Sequence, residues 1–130
     1  MTSSGQTWLS YVIQCHTWQG MDHFDFMFEW PGSDMLRTFQ LPEPPERVCV
    51  ETGIACREIA PHRRDYLEYE GEVSRDRGSV AIWDKGLLRL ARDTGKQLEI
   101  ELHSNQGREH PPWLFHFTGG SGWFLFAPRS

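Results

Sequence analysis

His16, His23 and Asp25 are the residues whose types and spacing offer this chain the most chemistry. Residues 23–30 (HFDFMFEW) alternate: His23, Asp25, Met27 and Glu29 fall on one face of an extended strand, and Phe24, Phe26, Phe28 and Trp30 on the other. Side chains two residues apart on a pleated strand point the same way, so His23 and Asp25 lie side by side. An imidazole beside a carboxylate is half of a shell for Mn²⁺, Zn²⁺ or Fe²⁺. His16 closes the preceding apolar segment. If residues 17–22 (TWQGMD) form a connecting loop, His16 meets His23 at the mouth of a hairpin, and a two-histidine, one-carboxylate set results. The competing reading is a solvated polar face with an incidental histidine.

A second cluster runs through His62, Arg63, Arg64, Asp65 and Tyr66, followed by Glu68, Tyr69, Glu70 and Gly71. Histidine, arginine and tyrosine together can hold a phosphate by donating to its oxygens, and histidine can protonate a leaving oxygen. A charged surface loop explains the same residues without function. Arg37, on the strand returning from the first hairpin, could face this site or simply face solvent. His103 and His110 flank a polar loop with no third ligand near and read as solvated. His116 alternates away from Phe115 and Phe117, toward a groove or the surface. No GxSxG, HExxH or phosphate-cradling glycine loop is present, and Gly119, Gly120 and Gly122 read as hairpin glycines.

These residues need rigid strands to position them. Residues 7–14 and 35–41 read as strands, with a turn at Pro31–Asp34. Residues 79–84 form another strand, with Lys85-Gly86 as the turn after it. Residues 87–92 and 97–103 make a hairpin about Asp93, Thr94 and Gly95. Residues 113–118 and 123–126 make the last. Residues 46–60 fit a short helical turn or a strand equally well. The fold this predicts is mostly β: a compact antiparallel β-barrel with little helix, in a single domain over residues 1–130.

Composition agrees. Hydrophobic residues make up 38% and charged residues 24%, which excludes disordered and collagen-like chains. Six Trp and eight Phe point to an aromatic core or groove. A net charge of −5 argues against an extensive nonspecific grip on nucleic acid but leaves room for a local phosphate site. No apolar run is long enough to span a membrane, and the opening MTSSGQTW has no leader pattern. Cys15, Cys49 and Cys56 form no CxxC pair, so a reducing, cytoplasmic compartment is expected.

Five blocks, in order, resemble the 3′-phosphoesterase domain of bacterial ATP-dependent DNA ligase D, which also occurs as a stand-alone protein. YVIQCH (11–16) is similar to the family's FVVQKH, and DHFDFMFE (22–29) to LHYDFRLE. LRTFQLPEPP (36–45) is similar to LKSWAVPKGP, HRRDYLEYEG (62–71) to HPLDYADFEG, and GSVAIWDKG (78–86) to GTVIVWDRG. The closing WLFHF and WFLFAPR also resemble the family's final hairpin. The resemblance covers nearly the whole chain and implies a mostly antiparallel barrel. It implies Mn²⁺, or another divalent metal, on His16, His23 and Asp25. It implies His62 and Tyr66 as the phosphate-engaging catalytic pair, with Arg37 beside them and Arg57 as a further phosphate contact. The implied substrate is a nucleic-acid 3′ end, in DNA or at a DNA/RNA junction, trimmed of a 3′ ribonucleoside or a 3′ phosphate. A ligase or polymerase is the implied partner.

The chain departs from the family at several positions. Met27 stands where the family has an arginine, Cys15 and Glu43 replace basic residues, and SRDR (74–77) is a shortened loop. Arg63 or Arg64 would have to restore the charge absent at Met27. The departures support a second expectation, a catalytically impaired barrel that binds nucleic-acid ends, a phosphorylated ligand or a repair partner. A metal enzyme of another substrate class is a third.

Overall fold

Aromatic and β-branched residues at alternate positions favour extended backbone, because the pleat then buries one whole side of each strand. The computed structural model describes residues 7–49 and 51–128. Its strands are β1 (Trp8–Trp18), β2 (Met21–Glu29), β3 (Met35–Leu41), β4 (Ile54–Arg63), β5 (Gly71–Glu72), β6 (Ser79–Asp93), β7 (Gln97–Ser104), β8 (Trp113–Gly119) and β9 (Gly122–Phe126). Eight of them form a closed antiparallel barrel in the order β1-β2-β3-β4-β9-β8-β7-β6, and β6 returns to pair with β1. The short β5 adds to the other edge of β6. Among the described residues helix is confined to two 3-10 turns, Pro45–Arg47 and Arg64–Leu67. The barrel read from the alternating segments is the fold observed, and no helix among the described residues is long and apolar enough to cross a membrane.

Two local expectations are corrected, and one left open is decided. Residues 17–22 are not a loop: β1 and β2 continue to a two-residue turn at Gln19-Gly20, whose φ values are 54° and 76°. Two left-handed residues make the primed turn that matches strand twist, and glycine takes that conformation freely. Lys85-Gly86 is no turn either. It lies within β6, held extended by pairing to β1 on one side and β7 on the other. Residues 46–60 resolve into the end of a 3-10 turn and then β4.

The barrel interior is a continuous aromatic cluster. Phe26 stacks on Phe115 with ring centroids 5.8 Å apart and meets Trp113 edge-on at 5.3 Å. Phe39 lies 4.5 Å from Phe115 and 5.4 Å from Trp123. Such pairs add about 0.5–1.5 kcal/mol each beyond their area burial. A smaller core lies on the outside of the barrel. There Val12, Met27 and Leu36 are buried beneath Tyr66, Leu67 and Ile82. The 3-10 turn at Arg64–Leu67 therefore roofs the outer face of β1, β2 and β3.

One carboxylate sits inside the barrel. Asp84 is fully buried and accepts hydrogen bonds from Tyr11 Oη (2.8 Å), Ser104 Oγ (2.5 Å) and His110 Nε2 (2.7 Å). His110 is thus no solvated surface histidine. Its ring is buried against Trp83 and Trp113 and ties the segment after β7 to the barrel. Burial pushes the Asp84 carboxyl up, but the bonds from His110, Ser104 and Tyr11 outweigh it and hold the group below its usual range. Burial and the neighbouring Asp84 charge in turn drive the Tyr11 hydroxyl far above its ordinary value.

A carboxyl depressed on folding stabilises the fold fully above its unfolded pKa of about 3.9, and that contribution is lost as pH falls through the lower folded value. Asp84→Asn removes it and leaves buried donors short of an acceptor. Urea denaturation should show the variant weaker by about 3–5 kcal/mol at pH 7, with a shallower loss of stability below pH 4 than the parent. Equal stabilities at pH 7 would show that the Asp84 cluster does not hold the barrel.

Candidate metal centre

The turn at Gln19-Gly20 sets His16 directly opposite His23 in the β1–β2 ladder. Opposed residues of an antiparallel pair bring their Cβ atoms to about 4.5–5.5 Å, so the two imidazoles meet. Their rings lie 4.7 Å apart, with His16 Nδ1 3.2 Å from His23 Nε2. Asp25, two residues on and on the same outer face, places Oδ2 3.2 Å from His23 Nε2. One ligand atom from each of the three residues lies within 4.8 Å of the others. Metal–ligand bonds of about 2.1 Å separate neighbouring ligand atoms by about 3.0 Å at right angles and about 3.4 Å at the tetrahedral angle. The two separations made by His23 Nε2, 3.2 Å to His16 Nδ1 and 3.2 Å to Asp25 Oδ2, fall between these values.

The atoms beyond the ligands set their orientation. His16 Nε2 lies 2.6 Å from the main-chain carbonyl of Arg77. A carbonyl only accepts, so Nε2 carries the proton and Nδ1 turns its lone pair to the centre. The Arg77 carbonyl reaches His16 because Gly78, at φ 84°, packs against β1, where a Cβ would overlap the Thr17 carbonyl oxygen. Asp25 is buried, and its Oδ1 has no hydrogen-bond partner. A buried carboxylate oxygen without a donor, beside two converging imidazole nitrogens, fits a divalent cation. Imidazole and carboxylate donors suit Mn²⁺, Fe²⁺ and Zn²⁺ alike. Cys15 turns into the barrel, and burial together with the nearby Asp22 charge pushes its thiol up, so it offers no thiolate.

His16 and Asp25 open into a cavity of about 140 Å³ whose walls include Gln14, His62, Tyr66 and Arg77. A bulge brings His62 to this face. Leu36 and Thr38 pair with His62 and Ile59, so β4 carries one residue more than β3, and Pro61, which cannot donate to a ladder, lies within the bulge. His62 Nδ1 is 3.0 Å from Thr38 Oγ1, which also lies 3.1 Å from the Leu36 carbonyl. With the hydroxyl proton given to Leu36, His62 Nδ1–H donates to Thr38 and Nε2 remains free. The Tyr66 ring meets His62 edge-on at 5.3 Å. Gln14 holds this wall in place: it is buried, and its amide donates to the carbonyls of Tyr66 and Tyr69, each at 3.0 Å.

The expected arginines separate. Arg37 does not face the site. It alternates onto the inner face with Phe39, lies 4.5 Å over the Trp30 ring, and is tied by two hydrogen bonds to Glu58. Arg64 turns to Glu29 in an ion pair. Arg63 lines an adjoining cleft with Tyr66 and Tyr69. Arg57 reaches Gln40 at 2.9 Å, and the Gln40 amide lies 3.4 Å from His23 Nε2. His103 and His116 are exposed, and neither joins the cluster. Gln14, Thr38, Gln40 and Arg77 were not singled out from sequence. The signal for Gln14 and Gln40 was their place on the same strand face as His16 and Asp25. Nothing local marked the Arg77 carbonyl.

Comparison with family models and with curated proteins gave no match to this chain. The geometry of the site therefore carries the functional argument.

Asp25→Asn and His16→Ala should each weaken Mn²⁺ binding more than 100-fold in calorimetric titration. Gly78→Ala displaces the carbonyl that orients His16 and should cost about 10–100-fold, the usual effect of losing such a support. Unchanged Mn²⁺ affinity in Asp25→Asn would exclude this centre.

Proposed function

We infer that this protein is a divalent-metal phosphoesterase acting on the 3′ ends of nucleic acid, with Mn²⁺ as the metal. The observation that carries the reading is the cluster of His16, His23 and the orphaned Asp25 carboxylate, of which His16 and Asp25 line a cavity together with His62 and Tyr66. His16, His23 and Asp25 would hold a divalent cation, which would supply positive charge to a phosphoryl oxygen and lower the pKa of a bound water. His62, anchored through Nδ1 to Thr38, has Nε2 to engage the phosphate and, in its charged form, to protonate the departing 3′ oxygen. Tyr66 forms the cavity wall beside it and positions the phosphoryl group. The 3′ specificity, and service to a ligase or polymerase that needs a 3′ hydroxyl, come from the sequence resemblance.

A specific observation favours the second reading, a binding module without turnover. Met27 is fully buried with Val12 and Leu36, so the position two residues beyond Asp25 brings no cation to the site.

A primer–template bearing a 3′ phosphate distinguishes them. Release of inorganic phosphate should require Mn²⁺, stop with a chelator, vanish in His23→Ala and fall about 10²–10⁴-fold in His62→Ala. Turnover that survives His23→Ala would sink the metal mechanism. Mn²⁺ and end binding without turnover would establish the binding module.

A further inference from the structure

Arg77 has two groups to offer: a main-chain carbonyl that meets His16, and a guanidinium. It lines the same cavity as His16, Asp25, His62 and Tyr66, and no other arginine or lysine is among the residues of that wall. Among the described residues its guanidinium hydrogen-bonds to neutral groups of its own loop: Nε donates to the Ser74 carbonyl at 3.0 Å, and Nη2 lies 3.4 Å from Ser74 Oγ. No ion pair among the described residues includes Arg77, whereas Arg37, Arg64 and Arg89 are each spent on a glutamate.

The loop is held firmly enough to aim the side chain. The Trp18 indole N–H donates to the Asp76 carbonyl at 2.9 Å, and the Arg77 carbonyl meets His16 at 2.6 Å. The backbone is left-handed at Arg75 and Asp76, with φ of 65° and 53°, and again at Gly78. A guanidinium carried by a residue of the cavity wall, anchored on Ser74 and lacking a carboxylate partner, is matched to a phosphoryl group, whose oxygens accept its parallel N–H donors. In a chain of net charge −5, that local cation is what an anionic ligand requires.

We propose that Arg77 is the phosphate-binding arginine of this site. It grips the non-bridging oxygens of a phosphate monoester or of inorganic phosphate while its main chain sets the His16 tautomer. The proposal rests on the phosphoesterase reading and names the residue that receives its substrate's charge. Loop and ligand are thereby coupled: the segment that orients the metal ligand also carries the anion contact.

Inorganic phosphate is the probe, titrated calorimetrically into the folded protein loaded with Mn²⁺, with Mn²⁺ affinity measured separately for each variant. Arg77→Met should weaken phosphate binding at least about tenfold while Mn²⁺ affinity stays within about twofold, because the carbonyl to His16 is retained. Arg77→Lys should recover part of the loss, since a point charge replaces the fork. Phosphate affinity unchanged in Arg77→Met would overturn the role of Arg77 and leave the metal centre standing. Equal losses of Mn²⁺ and phosphate affinity would also overturn it, by showing that the side chain only supports the loop. A parent protein that binds Mn²⁺ but no phosphate would remove the anion site and the phosphoesterase reading together. A parent that binds no Mn²⁺ would remove the centre itself.

Discussion

The register of the β1–β2 hairpin is the constraint on which the rest depends. Its two-residue turn at Gln19-Gly20 pairs Trp18 with Met21, His16 with His23, and Gln14 with Asp25. Side chains alternate with a period of two, so a slip of one residue would send every group to the wrong face. His23 and Asp25 would enter the aromatic core, and Phe24, Phe26 and Phe28 would meet water. The alternation that buries the aromatic face and the one that gathers His16, His23 and Asp25 on the opposite face are thus one geometric fact. The core enforces the register, and the register builds the centre.

A barrel normally buries its inside and leaves its outside wet. This one buries part of both faces along β1, β2 and β3. The outer face carries Val12, Met27 and Leu36 under the 3-10 turn, with the cluster of His16, His23 and Asp25 on the same face. Gln14 joins the two regions by binding the carbonyls of Tyr66 and Tyr69. Each such bond from a buried amide contributes about 0.5–1.5 kcal/mol and fixes the turn against β1. The roof turns an open strand face into a cavity, where a lower effective dielectric strengthens charge interactions. Inside the barrel the polar problem is solved differently. Asp84 gathers three donors around one carboxylate and thereby pins the chain after β7.

Much of this was legible in the residues. The alternation in HFDFMFEW separates core from ligands, and His62 and Tyr66 stand together in sequence as they do in the cavity. Where the reading failed, a long-range contact overruled a local cue. Residues 17–22 look like a loop by composition, yet the ladder continues because Gln19-Gly20 suffices to turn it. Arg37 carries the right chemistry but the wrong parity, sharing its face with Phe39 rather than with Thr38 and Gln40. His110 lies in a polar stretch and reads as solvated, and only Asp84, distant in sequence and buried, explains its burial. Met27 sits on the ligand face as read, but the roof makes that position apolar.

The sequence by itself determined the architecture and the pair His23 and Asp25. Both follow from a period of two, which acts over neighbouring residues and needs no knowledge of the rest of the chain. Only the tertiary structure decided where the arginines go. Arg37 and Arg64 are consumed by glutamates on other strands, and Arg77, in a loop far along the chain, brings its main-chain carbonyl to His16. That delivery depends on β6 closing the barrel against β1, which places Ser79 and Val80 beside Thr17 and His16. Barrel closure is a nonlocal event, decided by the packing of all eight strands at once, and so no local pattern announces it.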